Sequence, residues 1–293
     1  MPELPDIDVY IATLDQTIGG RRLDAVRIRN PFLVRSVEVA PGAAVGHKVS
    51  ELRRIGKRIA IGFGNDVWFV LHLMIAGRLQ WKTRSPVFTG RHQLAALDFD
   101  HGSLLLTEAG TKKRASLHVV GSTAELQEHD PGGLEPLQCS YAAFAAQLDR
   151  ENHTLKRALT TPKLFSGIGN AYSDEILHAA RLSPVLLTQN LNDQQRRSLF
   201  DAMVTTLTRW RDRLLEEAGG RIPGKVTAFR AGMAVHGRYG EPCPICAEPV
   251  QRIRYKDNET NYCARCQNES RLLRDRSLSR LLKQDWPKTL DDL

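Results

Sequence analysis

The chain has 293 residues, enough for two or three domains that each bury a core, and its 42% hydrophobic and 25% charged residues are ordinary globular values. No run approaches the roughly 18 apolar residues of a membrane span, and the acidic start lacks the basic-then-apolar layout of a secretory leader. A cytoplasmic or nucleoid-associated protein without a membrane partner is therefore expected. The 41 Lys+Arg against 33 Asp+Glu give a net charge of +8, which favours a polyanionic partner because neutralising phosphates releases counterions.

In chain order, "DIDVYIATLDQTI" places Ile7, Tyr10, Ile11, Leu14 and Ile18 on one helical face. The runs "RLDAVRIRN", "KRIAIGF", "DVWFVLHLMIAG", "LAALDFD" and "GSLLLTE" then read as strands separated by turn signals. Residues 1–128 are thus expected to form a β-sandwich carrying one helix, with 129–140 as linker around "EHDPGGLEP". The period changes to helical over 141–225, in "SYAAFAAQL", "LKRALTT", "GNAYSDEILHAARL" and the long "NDQQRRSLFDAMVTTLTRWRDRLLEEA". Residues 226–270 hold paired cysteines, and 271–293 read as a basic extension with a helix ending near Trp286-Pro287. Basic clusters stand at Arg53-Arg54, Lys57-Arg58 and Lys112-Lys113-Arg114.

Cys243, Cys246, Cys263 and Cys266 are spaced C-x2-C-x16-C-x2-C. Two thiolates on each of two turns supply a tetrahedral zinc site, and four thiolates leave no position open for substrate. One structural Zn2+ is expected, stapling a hairpin that turns at Asp257-Asn258. Cys139 stands alone and is expected to be buried or half-buried.

The opening "MPELPD" has two readings. One is helix initiation, with proline in the first turn and carboxylates at the positive end of the helix dipole. The other begins with removal of Met1, which turns Pro2 into an N-terminal secondary amine. Such an amine titrates near about 7.7 to 8.0 against about 10.4 for lysine, so roughly a tenth is free base at neutral pH. Its adduct with an aldehyde carbon is an iminium that cannot shed its charge by losing an N–H, hence an electron sink. Glu3, next in sequence, is the candidate general acid for opening a sugar ring.

"MPELPD", "GKR" at 56–58, "HLMIAGRL" at 72–79, "GIGNAYSDEIL" at 167–177 and "VHGRYGEPCPIC…NYCARCQ" at 235–267 together resemble the formamidopyrimidine-DNA glycosylase / endonuclease VIII family, in the family's order and over nearly the whole chain. The resemblance implies an α+β multidomain fold with an N-terminal β-sandwich carrying the N-terminal helix, a helix–two-turn–helix domain and a C-terminal zinc-finger hairpin. It implies a monomer acting on double-stranded DNA with a damaged base or abasic site, excising the base and cleaving the strand by β- or β,δ-elimination. By position Pro2 is the nucleophile at the sugar C1′, Glu3 its acid/base partner, and Asp6 a carboxylate where the family usually has glutamate. Lys57 falls on a strand lysine that grips phosphate, Asn170 on an asparagine that contacts the DNA backbone, and Lys163 on a lysine nearby. Gly167 and Gly169 would let backbone N–H groups approach phosphate.

The match departs from the family in substrate reading. Asn258 stands where a zinc-finger arginine is expected, and an amide is no substitute for a bidentate guanidinium; Arg252, Arg254 and Lys256 are the candidates to compensate. Met74 aligns with a glycine and Ile75 with the methionine wedge that fills the hole left by a flipped nucleotide. The alternative for each is a strand residue in the sandwich core. Lys112, Lys113 and Arg114 either touch DNA or form a solvated turn, and the glycines of 219–225 suit a segment covering the flipped base. A protein that binds damaged DNA without excision, or a lyase that removes no base, stays open as the alternative.

Overall fold

The structure is a computed structural model and describes residues 1–83, 87–224, 226–255, 258–275 and 287–292. The chain divides into two compact units, residues 1–131 with 210–227, and residues 132–209 with 228–293. Among the described residues no helix is long and apolar enough to cross a membrane.

The first unit opens with α1 (Leu4–Ile18), followed by β1 (Leu23–Ile28), β2 (Val49–Ile55), β3 (Arg58–Phe63), β4 (Trp68–His72), β5 (Gly77–Lys82), β6 (Gln93–Phe99), β7 (Gly102–Glu108), β8 (Ser116–Val120) and α2 (Thr123–Glu128). The strands form two antiparallel four-stranded sheets, ordered β1-β6-β7-β5 and β2-β3-β4-β8. The expected face of α1 is buried: Ile7, Tyr10, Leu14 and Ile18 join Ile59, Ile61, Phe69 and Leu71 from one sheet and Leu79, Leu97, Leu104 and Leu106 from the other. Ala60, Trp68 and Val70 point to the opposite face of their sheet and pack with Val120 and Leu126 of α2. Both faces of β3 and β4 are therefore covered, which is why they read as unbroken apolar runs.

Strands β2, β5 and β8 were not legible, and all three lie at sheet edges. An edge strand has a solvated side that takes polar residues; β2, "VSELRRI", exposes Ser50, Glu51 and Arg53. The run "DVWFVLHLMIAG" is also not one strand. It ends as β4 at His72 and enters a turn over 74–76 before β5 begins.

The second unit holds α3 (Tyr141–Asp149), α4 (Leu155–Thr160), α5 (Asn170–Ala179), the start of α6 (Asp193–Ala218), β9 (Gln251–Tyr255), β10 (Asn258–Tyr262) and α7 (Ala264–Asn268). Ser140 Oγ caps α3 by accepting from Ala143 N at 3.2 Å. Asn192 and Gln195 cap α6 reciprocally, at 2.8 and 3.0 Å. Strands β9 and β10 pair antiparallel from Asn258↔Tyr255 to Tyr262↔Gln251, the hairpin expected between the cysteine pairs. The expected turn residue Asp257, Lys256, Lys225 and most of the expected C-terminal helix, residues 276–286, lie outside the described residues. The described part of that extension packs Leu272, Leu273 and Leu290 against Ile253, Tyr262 and Ala264 of the hairpin region.

Candidate active site and metal centre

Helix α1 starts with a reciprocal capping box: Glu3 N donates to Asp6 Oδ2 at 2.9 Å, and the Glu3 carboxylate receives the Asp6 backbone N–H. Both side chains are buried. The shorter carboxylate at position 6 thus still reaches back to hold Glu3. Burial pushes the Met1 amine below its ordinary value of 8.0; Glu3 and Asp6 act against that shift, and Arg78 and Lys57 act with it. One corner therefore gathers an α-amine, two carboxylates and two cations.

Lys57 stands in the two-residue turn between β2 and β3, not within a strand as the resemblance implies. Gly56, at φ +59°, takes the first turn position, where a side chain is disfavoured. At the end of β4, burial together with Arg58, Lys57 and His118 pushes His72 down to about 4, so its imidazole is neutral at pH 7.

The turn after β4 takes Met74 and Ile75 out of the strand placement that was the alternative. Neither lies in a strand, and Ile75 is 58% exposed. Met74 is half-buried at φ +53°, a left-handed conformation that favours glycine, the residue the resemblance places there. Gly77 closes the turn through Gly77 N to Leu73 O at 2.9 Å, and a Cβ at Gly77 would collide with that carbonyl. Arg78 braces the same turn by donating to the carbonyls of Ile75, Gly77 and Val226. In the basic loop that follows β7, the buried Glu108 carboxylate accepts from Arg114 N at 3.0 Å and Ala115 N at 3.2 Å. Lys113 Nζ is turned inward onto the carbonyls of Glu108 and Gly110. Lys112 stays exposed.

In the second unit, α4 and α5 are joined by residues 161–169, with a turn over 162–164 and a bend at 166–167. Asn170 is the first residue of α5, with Gly169 as its cap, and Asn170 Nδ2 donates to Glu259 O of β10 at 2.7 Å. Lys163 is exposed on the connecting turns. At the hairpin, Asn258 is exposed and begins β10. Arg252 is engaged over the Tyr239 ring at 3.9 Å and with Glu259 Oε2 at 3.4 Å. Arg254 lies 3.6 Å from the same carboxylate, with its side chain 64% exposed, and is the more accessible of the two.

The motif "GIGNAYSDEIL" contains a function that sequence reasoning missed. Asp174 and Glu175 of α5 are both buried. Glu175 accepts three backbone N–H groups, from Ala234 at 2.7 Å, Val235 at 2.9 Å and His236 at 3.0 Å. Asp174 bridges Lys156 Nζ at 2.5 Å and His236 Nδ1 at 2.8 Å. These carboxylates fix the segment that leads into the first cysteine pair. The available signal was two adjacent acids inside a helix whose other residues are mainly apolar.

Cys243, Cys246, Cys263 and Cys266 bring their Sγ atoms within 4.8 Å of one another. Burial pushes the Cys263 and Cys266 thiols up, Cys266 to about 11. Cys246 is drawn down: burial opposes this, while the Glu248 N–H and the other three thiols favour it. Ionising all four in one small volume requires a divalent cation, and four thiolates of this spacing fit tetrahedral zinc. His178 of α5 places Nε2 3.3 Å from Cys243 Sγ, and burial with Arg181 nearby pushes it down to about 4. A neutral imidazole protonated on Nε2 donates to a Cys243 thiolate there.

Three family models match: the formamidopyrimidine-DNA glycosylase N-terminal domain over residues 1–114, its H2TH domain over 133–210, and the zinc finger found in FPG and IleRS over 240–268. The zinc-finger match and the four-cysteine cluster together support one structural zinc. The formamidopyrimidine-DNA glycosylase of Variovorax paradoxus is 30% identical over 284 residues, covering 91% of this chain and 100% of the relative. That of Solibacter usitatus is 29% identical over 276 residues, covering 91% and 99%. Among solved structures, the MutM (FPG) protein of Thermus thermophilus matches with TM-score 0.76 and 28% identity over 91% of this chain and 98% of that one. Lactococcus lactis FPG, solved with a FAPY-dG containing DNA, matches with TM-score 0.80 over 91% and 100%, and at 23% identity this likeness speaks for the fold. With these motifs in register and relatives matched over their full length, the chain belongs to the formamidopyrimidine-DNA glycosylase family.

Proposed function

We propose that this chain is a base-excision DNA repair glycosylase that removes an oxidised base and then cleaves the strand at the abasic site, with Pro2 as nucleophile once Met1 is removed. Family membership supports the activity. The observation that carries the assignment to this corner is geometric: Pro2 is buried next to the reciprocal Glu3–Asp6 cap, so removal of Met1 leaves its amine beside a carboxylate already held in place. The free-base fraction of such an N-terminal secondary amine is the nucleophile.

In this reading the Pro2 nitrogen forms a bond to C1′ while the C1′–base bond breaks, its electron pair leaving with the base, which takes up a proton. Loss of the ammonium proton lets the nitrogen lone pair expel O4′, which Glu3 protonates, and the ring opens to an iminium. The iminium acidifies C2′; removal of that proton breaks the C3′–O3′ bond and the phosphate leaves with the pair. Asp6 keeps Glu3 in place from its capping position. Lys57, Lys163, Asn170 and Arg254 are the proposed contacts to the DNA backbone, and Ile75, presented on the turn with Met74, is the proposed wedge. The acting species is one chain on duplex DNA.

A second reading, damaged-DNA binding without excision, is favoured by Asn258 at a position where the resemblance expects arginine. Borohydride reduction on an abasic oligonucleotide separates the two. The expected result is a covalent adduct whose tryptic map places the DNA on an N-terminal peptide beginning with Pro2. No adduct, or an adduct on a lysine with Met1 still attached, would overturn the assignment. A second oligonucleotide with one oxidised base then separates glycosylase from lyase alone.

A further inference from the structure

Arg78 is the second residue of β5. Its Nη1 donates to Ile75 O at 3.1 Å and Gly77 O at 2.6 Å, and its Nη2 donates to Val226 O, 148 positions later. The first two acceptors belong to the turn that exposes Ile75. The third belongs to the segment after α6, where Ile222 and Val226 pack on the sandwich core. These three hydrogen-bond partners are all carbonyls, so no carboxylate among them cancels the charge.

We propose that Arg78 is a positioning residue for the excision reaction, locking the Ile75 turn and the backbone at Val226 in one register beside the N-terminus. This role deepens the amine mechanism proposed above and rests on it. Geometry gives the reason. The turn contains Met74 at φ +53°, a conformation that persists only where its surroundings over-determine it. Two carbonyls of that turn and one from a distant segment are held by one planar fork, a pattern a lysine ammonium does not reproduce. The same cation acts on the Met1 amine in the direction that disfavours its protonation. Ile222 and Val226 reach the sandwich core after the long helix, and Arg78 ties that segment's backbone to the turn.

The test uses the full-length R78M and R78K variants and two readouts. The first is the pH profile of borohydride trapping on a single-stranded abasic oligonucleotide, where no base has to be extruded. Removing the charge lets the amine bind its proton more tightly, so the acid limb should move to higher pH in R78M and stay in place in R78K. The second is the rise of 2-aminopurine fluorescence beside a lesion in duplex DNA, which reports base displacement. It should slow by about ten-fold in both variants, because neither side chain bridges the two segments. An unmoved acid limb in R78M, or an unchanged fluorescence rate in R78K, overturns the proposal. Wild-type protein that forms no adduct on any abasic substrate overturns the amine mechanism itself and this role with it. Where R78M does not fold, the fluorescence rate of R78K decides alone.

Discussion

The amine corner and the zinc-hairpin mount are built on opposite plans. In the corner, the two carboxylates are close in sequence, since Glu3 and Asp6 cap each other three residues apart, and only the cations Lys57 and Arg78 come from later elements. In the mount, the bonds span the chain: Glu175 reaches Ala234 across 59 positions, His178 reaches Cys243 across 65, and Asn170 reaches Glu259 across 89. The carboxylate pair of the corner is preset by a helix start, whereas the mount exists only once distant segments have met. The comparison therefore predicts that damage to the mount lowers the stability of the second unit, while damage to the corner changes reactivity or pH response.

The largest expected effect is Cys263→Ser. It removes one of four zinc ligands, and the second unit should lose on the order of several kcal/mol and its hairpin order, seen as lost amide protection over β9 and β10. Protection equal to wild type in the metal-free variant would break the contrast. Next, Glu175→Ala leaves two buried N–H groups and one half-buried N–H group without their acceptor, at about 1–3 kcal/mol for each group not rescued by water. Its unfolding midpoint should fall while borohydride trapping by the folded protein persists. Loss of trapping with an unshifted midpoint would mean the carboxylate serves chemistry instead.

A smaller effect concerns His72. Its folded value near 4 lies below its ordinary 6.5, so the unfolded chain binds the proton more readily between those limits. The stabilisation from keeping it neutral is present above pH 6.5 and is lost as pH falls towards 4, on the order of 1–2 kcal/mol after solvent screening. His72→Gln should flatten the stability–pH curve of the first unit in that window, and an identical slope would remove His72 from the account. The smallest is Met74→Gly, which relieves the left-handed strain and should stabilise by about 1 kcal/mol in urea unfolding. A destabilised variant would show that packing of the methionine side chain outweighs its backbone cost.

Legibility followed the same division. The cysteine set was readable because metal geometry imposes its own spacing, and the face of α1 because helical period imposes its own. Strand β2 was not, since at its sheet edge it mixes exposed and buried residues without a clean period, and β5 and β8 alternate polar and apolar residues over too few positions to stand out. Ile75 was ambiguous because an apolar residue after a strand has the same letters whether it continues inward or turns to solvent.

The amino-acid sequence by itself determined the zinc ligands, the helix-start carboxylates beside Pro2, the main core strands and the order of the family motifs, because each is set by short-range spacing. Only the tertiary structure decided that Asp174 and Glu175 are buried acceptors, that His178 meets a zinc thiolate, and that Arg78 joins the Ile75 turn to Val226. A charged side chain looks the same in sequence whether water or protein satisfies it. Its partner is chosen by which distant backbone the fold brings within hydrogen-bond reach.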